Sequence, residues 1–273
     1  MGFQTKNKLI AFITRLLIRE RQPNQIPMSD YERMRYEIKP GDVILVEGRS
    51  RVSDVIKTVT QSRWSHAALY IGRIHEIENP RDRQRLKSFF DGQPDVQLIV
   101  ESELGMGTVA RPLSVYDRDH VRICRPKDLT YRDAQKVIQY AISRLGTDYD
   151  MRQIFDLLRF FFPYLILPRR WRSSLFSTHP GKTTKTVCST MIAEAFGSIQ
   201  YPILPMIKRT EEGHVNIYRR NPKLCTPSDF DYSPYFDIIK YPFTNFAESE
   251  PHYRKLPWIS EEKLTKSEEE KDV

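Results

Sequence analysis

The sequence predicts an α+β domain built on a small antiparallel sheet. Strand-like runs are grouped in the middle of the chain rather than alternating one for one with helical patterns, which disfavours a parallel sheet with crossover helices. The order read is one helix-strand-helix-strand run, then strands together, then helices around Cys188. Of 273 residues, 40% are hydrophobic, with 14 Phe, 14 Tyr and 3 Trp, enough for one core of about 200 residues plus extensions. The expected division is an N-terminal helix and linker at 1–35, a domain at 36–240 and an extension with a charged, disordered tail at 241–273.

The elements follow in order. In KNKLIAFITRLLIRER, Leu9, Ile10, Phe12, Ile13, Leu16 and Leu17 gather on one helical side, while Lys6, Lys8, Arg15 and Arg19 lie mainly elsewhere. A helix lying on an anionic bilayer fits this pattern, and so does a helix packed on the domain's own core. The segment is basic and apolar like a signal peptide. Arg15 nevertheless interrupts the run, and no small-x-small site follows before QPNQIP, so no cleavable signal is expected. Residues 21–35 read as a polar linker.

KPGDVILVEG is a turn followed by a buried strand, with Asp42 in the turn as a structural residue. VSDVIKTVTQS has Val52, Val55, Ile56 and Val59 at helical spacing. SHAALYIG is a strand ending at Gly72, with His66 expected on the face of Trp64, Ala68 and Tyr70. HEIENPRDRQRLKSFFDGQPD reads as a loop. VQLIVESELG, TVARPLSVY and DHVRICRP are strands. Thr130 and Asp133 form a capping-box-like start for a helix striped by Ala134, Val137, Ile138, Ala141, Ile142 and Leu145 and stopped by Gly146. A Ser/Thr/Gly/Lys loop leads to the helix of Cys188, which ends at Gly197. Beyond Pro202 the chain reads as turn-rich and aromatic.

No stretch reaches the ~18–20 apolar residues of a spanning helix. FDLLRFFFPYLIL, at residues 155–167, carries Arg159 and Pro163 and runs into PRRWR. It reads as an interfacial element, as an apolar wall facing substrate, or as a buried helix before a basic turn. The net charge of +8 suits anionic partners without naming one. RDRQRLK lacks interleaved aromatics, so no nucleic-acid partner is expected. PGKTTKT would need a glycine where Phe176 stands to be a phosphate loop. Cys124, Cys188 and Cys225 are widely spaced without a CxxC pair, and no HxxxH pair occurs. Disulfides, metal and cofactor are therefore not expected.

The chemistry-bearing residues are Cys188 in the first turn of a helix, His66 on a strand and Glu101 on the next. A helix start favours thiolate over thiol and offers N–H groups to a developing oxyanion. An imidazole can carry the thiol proton, and a carboxylate on its far nitrogen can fix the tautomer. Each residue also has a plain structural reading: a packing thiol, a strand histidine, a strand carboxylate.

The succession GDVILVEGRSRVSDVIKTVTQSRWSHAALYIG, IVESELGMGTVARPL, a helix ending RLGTDYD, and VCSTMIAEAF resembles the circularly permuted papain-like amidases of the YiiX/YaeF type. These are relatives of the NlpC-type cell-wall peptidases and of lecithin:retinol acyltransferase. The resemblance covers roughly residues 40–196. It implies a permuted papain-like (NlpC-type) fold, with a small antiparallel sheet or partial barrel packed on helices that include the nucleophile's. It also implies Cys188 as nucleophile, His66 as general base, Glu101 as the residue orienting His66, and Tyr149 as an oxyanion contact. Glu103 competes for the orienting role but sits one full pleat further along, so Glu101 is preferred.

The expected activity is a cysteine hydrolase working through a thioester on an amide or acyl bond. Its substrate would be peptide-like or lipid-like, of lipid-linked or cell-wall type at a membrane surface. An acyltransferase or lipid acyl hydrolase of the lecithin:retinol acyltransferase type, and a non-catalytic membrane adaptor, are the alternatives. The expected location is cytoplasmic and peripheral on an anionic membrane, reached through residues 3–20 and 155–172.

Overall fold

The computed structural model describes residues 29–103, 106–148, 188–209 and 214–239, all within one compact unit, Met1–Tyr241. The expectations for residues 3–20, Tyr149, residues 155–172 and the charged tail lie outside the described residues.

Six strands form one open antiparallel sheet in the order β4-β3-β2-β1-β5-β8. They are β1 (Val43–Val46), β2 (His66–Gly72), β3 (Leu98–Glu103), β4 (Gly107–Pro112), β5 (Val121–Pro126) and β8 (Phe236–Ile239). The sheet ends at β4 and β8 and is not closed into a barrel. A separate hairpin joins β6 (Met206–Arg209) to β7 (Val215–Tyr218). The fold is the expected α+β class.

Both faces of the sheet are covered, which is why β1 and β2 read as near-continuous apolar runs. On one face Val43, Leu45, Leu69 and Val100 pack against α4 (Tyr131–Ser143) and α5 (Cys188–Ser198) through Val137, Ile138, Met191, Ile192 and Phe196. On the other, Ile44, Ala68, Tyr70 and Ile99 meet Met34 and Ile38 together with Leu113 and Tyr116. Helix α4 starts as its sequence dictates: the Asp133 N–H donates to Thr130 Oγ1 at 3.1 Å. Gly146 follows it with φ +80°, left-handed backbone that suits glycine.

Several expectations change. Residues read as linker form α1 (Tyr31–Glu37), because Asp30 caps it through the Arg33 N–H at 3.0 Å and Met34 is buried in the sheet. The segment read as a loop contains α3 (Pro80–Lys87). Asn79 caps it, Pro80 stands in its first turn, and Arg85 donates to the backbone of Ile142 and Leu145 at 2.9 Å each. With Leu86 its one buried residue, α3 leaves almost no periodic signal. TVARPLSVY is a strand only to Pro112, after which Leu113–Tyr116 make a 3-10 turn.

The region beyond Pro202 contributes three strands as well as turns, one of them in the main sheet. β8 is registered on β5, and Phe236 meets Phe196, Tyr201 and Phe230 edge-on at 5.4–5.6 Å. Trp64 does not share His66's face. The strand begins at His66, so the alternation stops there and Trp64 is buried in the cluster under α4 and α5. Among the described residues no helix is long and apolar enough to cross a membrane.

Candidate active site

His66 is the first residue of β2, opposite Val46 of β1. The chain is steered into it by Ser65, whose N–H donates to Val46 O at 3.2 Å and whose hydroxyl accepts from the Gly48 N–H at 2.9 Å. On the neighbouring strand β3, Leu69 pairs with Val100, which sets Glu101 on the same face as His66. Cys188 opens α5, whose apolar side packs on the opposite face of the sheet. Because His66 stands at the very end of β2, the helix start reaches it around the strand terminus.

The three side chains converge. His66 Nε2 lies 2.5 Å from Glu101 Oε2, and the imidazole is also hydrogen-bonded to the Cys188 thiol. With Nε2 taken by the carboxylate, Nδ1 is the ring nitrogen left for sulfur. The backbone N–H groups of Ala67 and Ser189 also donate to the Cys188 sulfur. Glu101 is 1% exposed, whereas the His66 side chain is 22% exposed, so the carboxylate is sealed while the imidazole reaches the cavity.

The electrostatics favour an ion pair. Burial opposes protonation of His66, but the Cys188 thiolate and then Glu101 outweigh it and hold the imidazole's pKa well above its ordinary value. Burial likewise pushes the Cys188 thiol up, yet the facing imidazolium and the N–H donors bring it below the usual thiol range. The other two cysteines go the opposite way: burial raises both Cys124 and Cys225.

Glu101 carries more donors than a reading by motif reveals. Tyr116 donates its hydroxyl hydrogen to Oε2, and Arg111 Nη1 approaches Oε1 at 3.4 Å. Burial would raise the carboxyl pKa, but His66, Tyr116 and Arg111 together hold it below the ordinary value. Glu103 pairs with Arg111 at 2.6 Å. The carboxylate hydrogen-bonded to His66 is that of Glu101. Tyr116 and Arg111 went unseen because only the β3–β4 register and the 3-10 turn bring them to Glu101. Asp42 is structural: it accepts from the Lys39 N–H at 2.8 Å and from Arg125 Nη2 at 2.8 Å.

Cys188, His66 and Glu101 open on a cavity of about 200 Å³. A larger hollow of about 640 Å³ lies beside the C-terminal half of α5, lined by Tyr201, Ile203 and Arg219, and contains none of the three. Among the described residues no group of three or more His, Cys, Asp or Glu is arranged to hold a metal ion.

Residues 37–158 match the sequence model of a family described as "Permuted papain-like amidase enzyme, YaeF/YiiX, C92 family". The matched segment contains His66 and Glu101 and ends before Cys188. No curated protein matches the chain by sequence. Among solved structures, the chain is similar to one described as the crystal structure of metalloprotein YiiX from Escherichia coli O157:H7. The identity is 15%, the TM-score is 0.45, and the alignment covers 75% of this chain and 98% of that one. Over residues 37–158, the chain is thus similar to the permuted papain-like amidases of the YaeF/YiiX type.

Proposed function

We propose that the protein is a cysteine hydrolase of amidase or peptidase type that works through a thioester intermediate. The observation that carries this reading is the position of His66, hydrogen-bonded to Cys188 on one side and to a buried Glu101 on the other. The match of residues 37–158 to a papain-like amidase family supports the cysteine-hydrolase class.

The Cys188 thiolate attacks the substrate carbonyl carbon, and the carbonyl oxygen takes the negative charge. N–H groups of the first turn of α5 stabilise that oxyanion. The C–N bond breaks as His66 Nδ1 gives its proton to the departing amine, leaving an acyl group on sulfur. Neutral His66 then takes a proton from water, whose oxygen attacks the thioester. The Cys188 thiolate leaves and the acid is released. Glu101 stabilises the imidazolium throughout and keeps the Nε2–H tautomer in the neutral state.

The test is electrophile labelling with peptidyl and acyl recognition groups, read by intact mass, beside turnover of whichever amide or ester reacts. Wild-type protein should be labelled once, at Cys188. Cys188→Ala should be folded by circular dichroism and inactive. A folded Cys188→Ala protein that retains turnover would overturn the reading.

A further inference from the structure

Helix α2 (Arg51–Thr60) is strongly amphipathic, yet its apolar residues Val52, Val55 and Ile56 remain only partly buried. Ser50 caps it through the Ser53 N–H at 3.1 Å, and Lys57 Nζ donates to Gly48 O at 3.1 Å. An apolar stripe left half in water gains by being covered. What it faces is on view: Val52 and Ile56 line the same cavity as Cys188 and His66, with Val115 alongside.

We propose that Val52 and Ile56 determine substrate specificity, by forming the apolar wall of a subsite for a compact aliphatic group flanking the scissile carbonyl. The subsite rests on the hydrolase reading above. Its size selects the class of substrate. A cavity of about 200 Å³ holds about seven groups of water-like volume at roughly 30 Å³ each. That is the size of an apolar group of about seven carbons, and far less than a long lipid acyl chain. The polar remainder of the rim, where Arg111 pairs with Glu103 at 2.6 Å and Arg49 with Asp119 at 2.9 Å, is suited to the amide flanks of such a substrate. Peptide-like amides carrying a small apolar residue are therefore the favoured class over phospholipid or other long-chain esters.

The experiment uses the full chain and two fluorogenic amide series. One varies the acyl half from acetyl to palmitoyl on a fixed amine; the other varies the amine half over aliphatic groups of the same sizes. Each is read as kcat/KM and, independently, as the labelling rate of Cys188 by electrophiles carrying the same groups. In one series the rate should rise about fourfold per methylene up to the size of a short branched chain, and then fall for long chains. Ile56→Ala and Val52→Ala should move that optimum to larger groups, and Ile56→Phe to smaller ones. Opposite shifts from opposite volume changes are not produced by a damaged fold.

A wild-type preference for palmitoyl, or a size profile unmoved by both Ile56 variants, would overturn the proposal while leaving the hydrolase reading intact. Turnover and labelling that persist unchanged in Cys188→Ala would instead overturn the reading beneath it.

Discussion

Tyr116 donates to the same carboxylate oxygen of Glu101 that holds His66 Nε2. Two donors from different elements, a 3-10 turn and the first residue of a strand, thus meet on one buried atom, while Arg111 attends the other oxygen. An ionised carboxylate this deeply buried needs such company, because leaving it unpaired would cost several kcal/mol. The arrangement fixes the direction in which Glu101 points and keeps it charged at neutral pH.

Replacing Tyr116 with Phe removes one of those donors and little volume. Burial then raises the Glu101 pKa with one fewer hydrogen bond to oppose it, so the acid limb of kcat/KM should move to higher pH. The plateau should fall about tenfold, the worth of one hydrogen bond to a charged group. A full pH profile measures both; a profile that superimposes on wild type would contradict a positioning role.

Glu101→Gln keeps the shape of the side chain and discards its charge. The His66 pKa is raised by the Cys188 thiolate and by Glu101, so losing the carboxylate should lower it and bring the alkaline limb down in pH. At the pH of the wild-type alkaline limb, activity should drop by roughly tenfold per unit of that shift. The pH–rate profile of the variant checks the sign.

Thiol reactivity should single out Cys188. Its pKa is lowered and that of His66 is raised, so the ion pair exists above the first and below the second. Burial raises Cys124 and Cys225, which remain thiols there. Iodoacetamide at neutral pH should label Cys188 at least about a hundredfold faster than either. His66→Ala should push the onset of labelling upward in pH, toward an ordinary or higher thiol pKa. Peptide mass mapping after timed alkylation measures this.

Asp42 should matter to stability rather than to chemistry. Its side chain is 2% exposed and holds both the Arg125 guanidinium and the turn before β1. Asp42→Ala removes one partner of a buried pair and should cost about 3 kcal/mol in urea unfolding. Labelling of Cys188 in the folded fraction should continue at the wild-type rate.

Gly107 is under two constraints where β3 turns into β4. Its φ is +79°, and an added Cβ would stand 2.4 Å from Thr147 O, the carbonyl that accepts the Thr108 N–H at 2.9 Å. Gly107→Ala should therefore cost at least about 2 kcal/mol, combining left-handed strain with a backbone clash. Thermal unfolding would register it as a lower midpoint.

Local code wrote much of this fold in advance. The turn before β1, the Thr130 cap, the stripe on α4 and the apolar runs of β1, β2 and β3 are each set by neighbours within a few residues, so they are legible one segment at a time. Helices α1 and α3 escaped because each buries a single side chain, Met34 or Leu86, and takes its stability from caps and distant anchors. β8 escaped because only its pairing with β5 makes Phe236–Ile239 a strand.

The candidate site divides in the same way. By itself the sequence determined which residue types were available: a thiol in a helix's first turn, an imidazole beginning a strand, a carboxylate on the next. Only the tertiary structure decided that they meet, that Glu101 holds the ring, and that Tyr116 and Arg111 stand behind it. The contacts of His66 with Glu101, 35 positions away, and with Cys188, further still, depend on strand register and on where a helix ends against a sheet edge. Those are properties of the whole packed chain, and no short stretch of it encodes them.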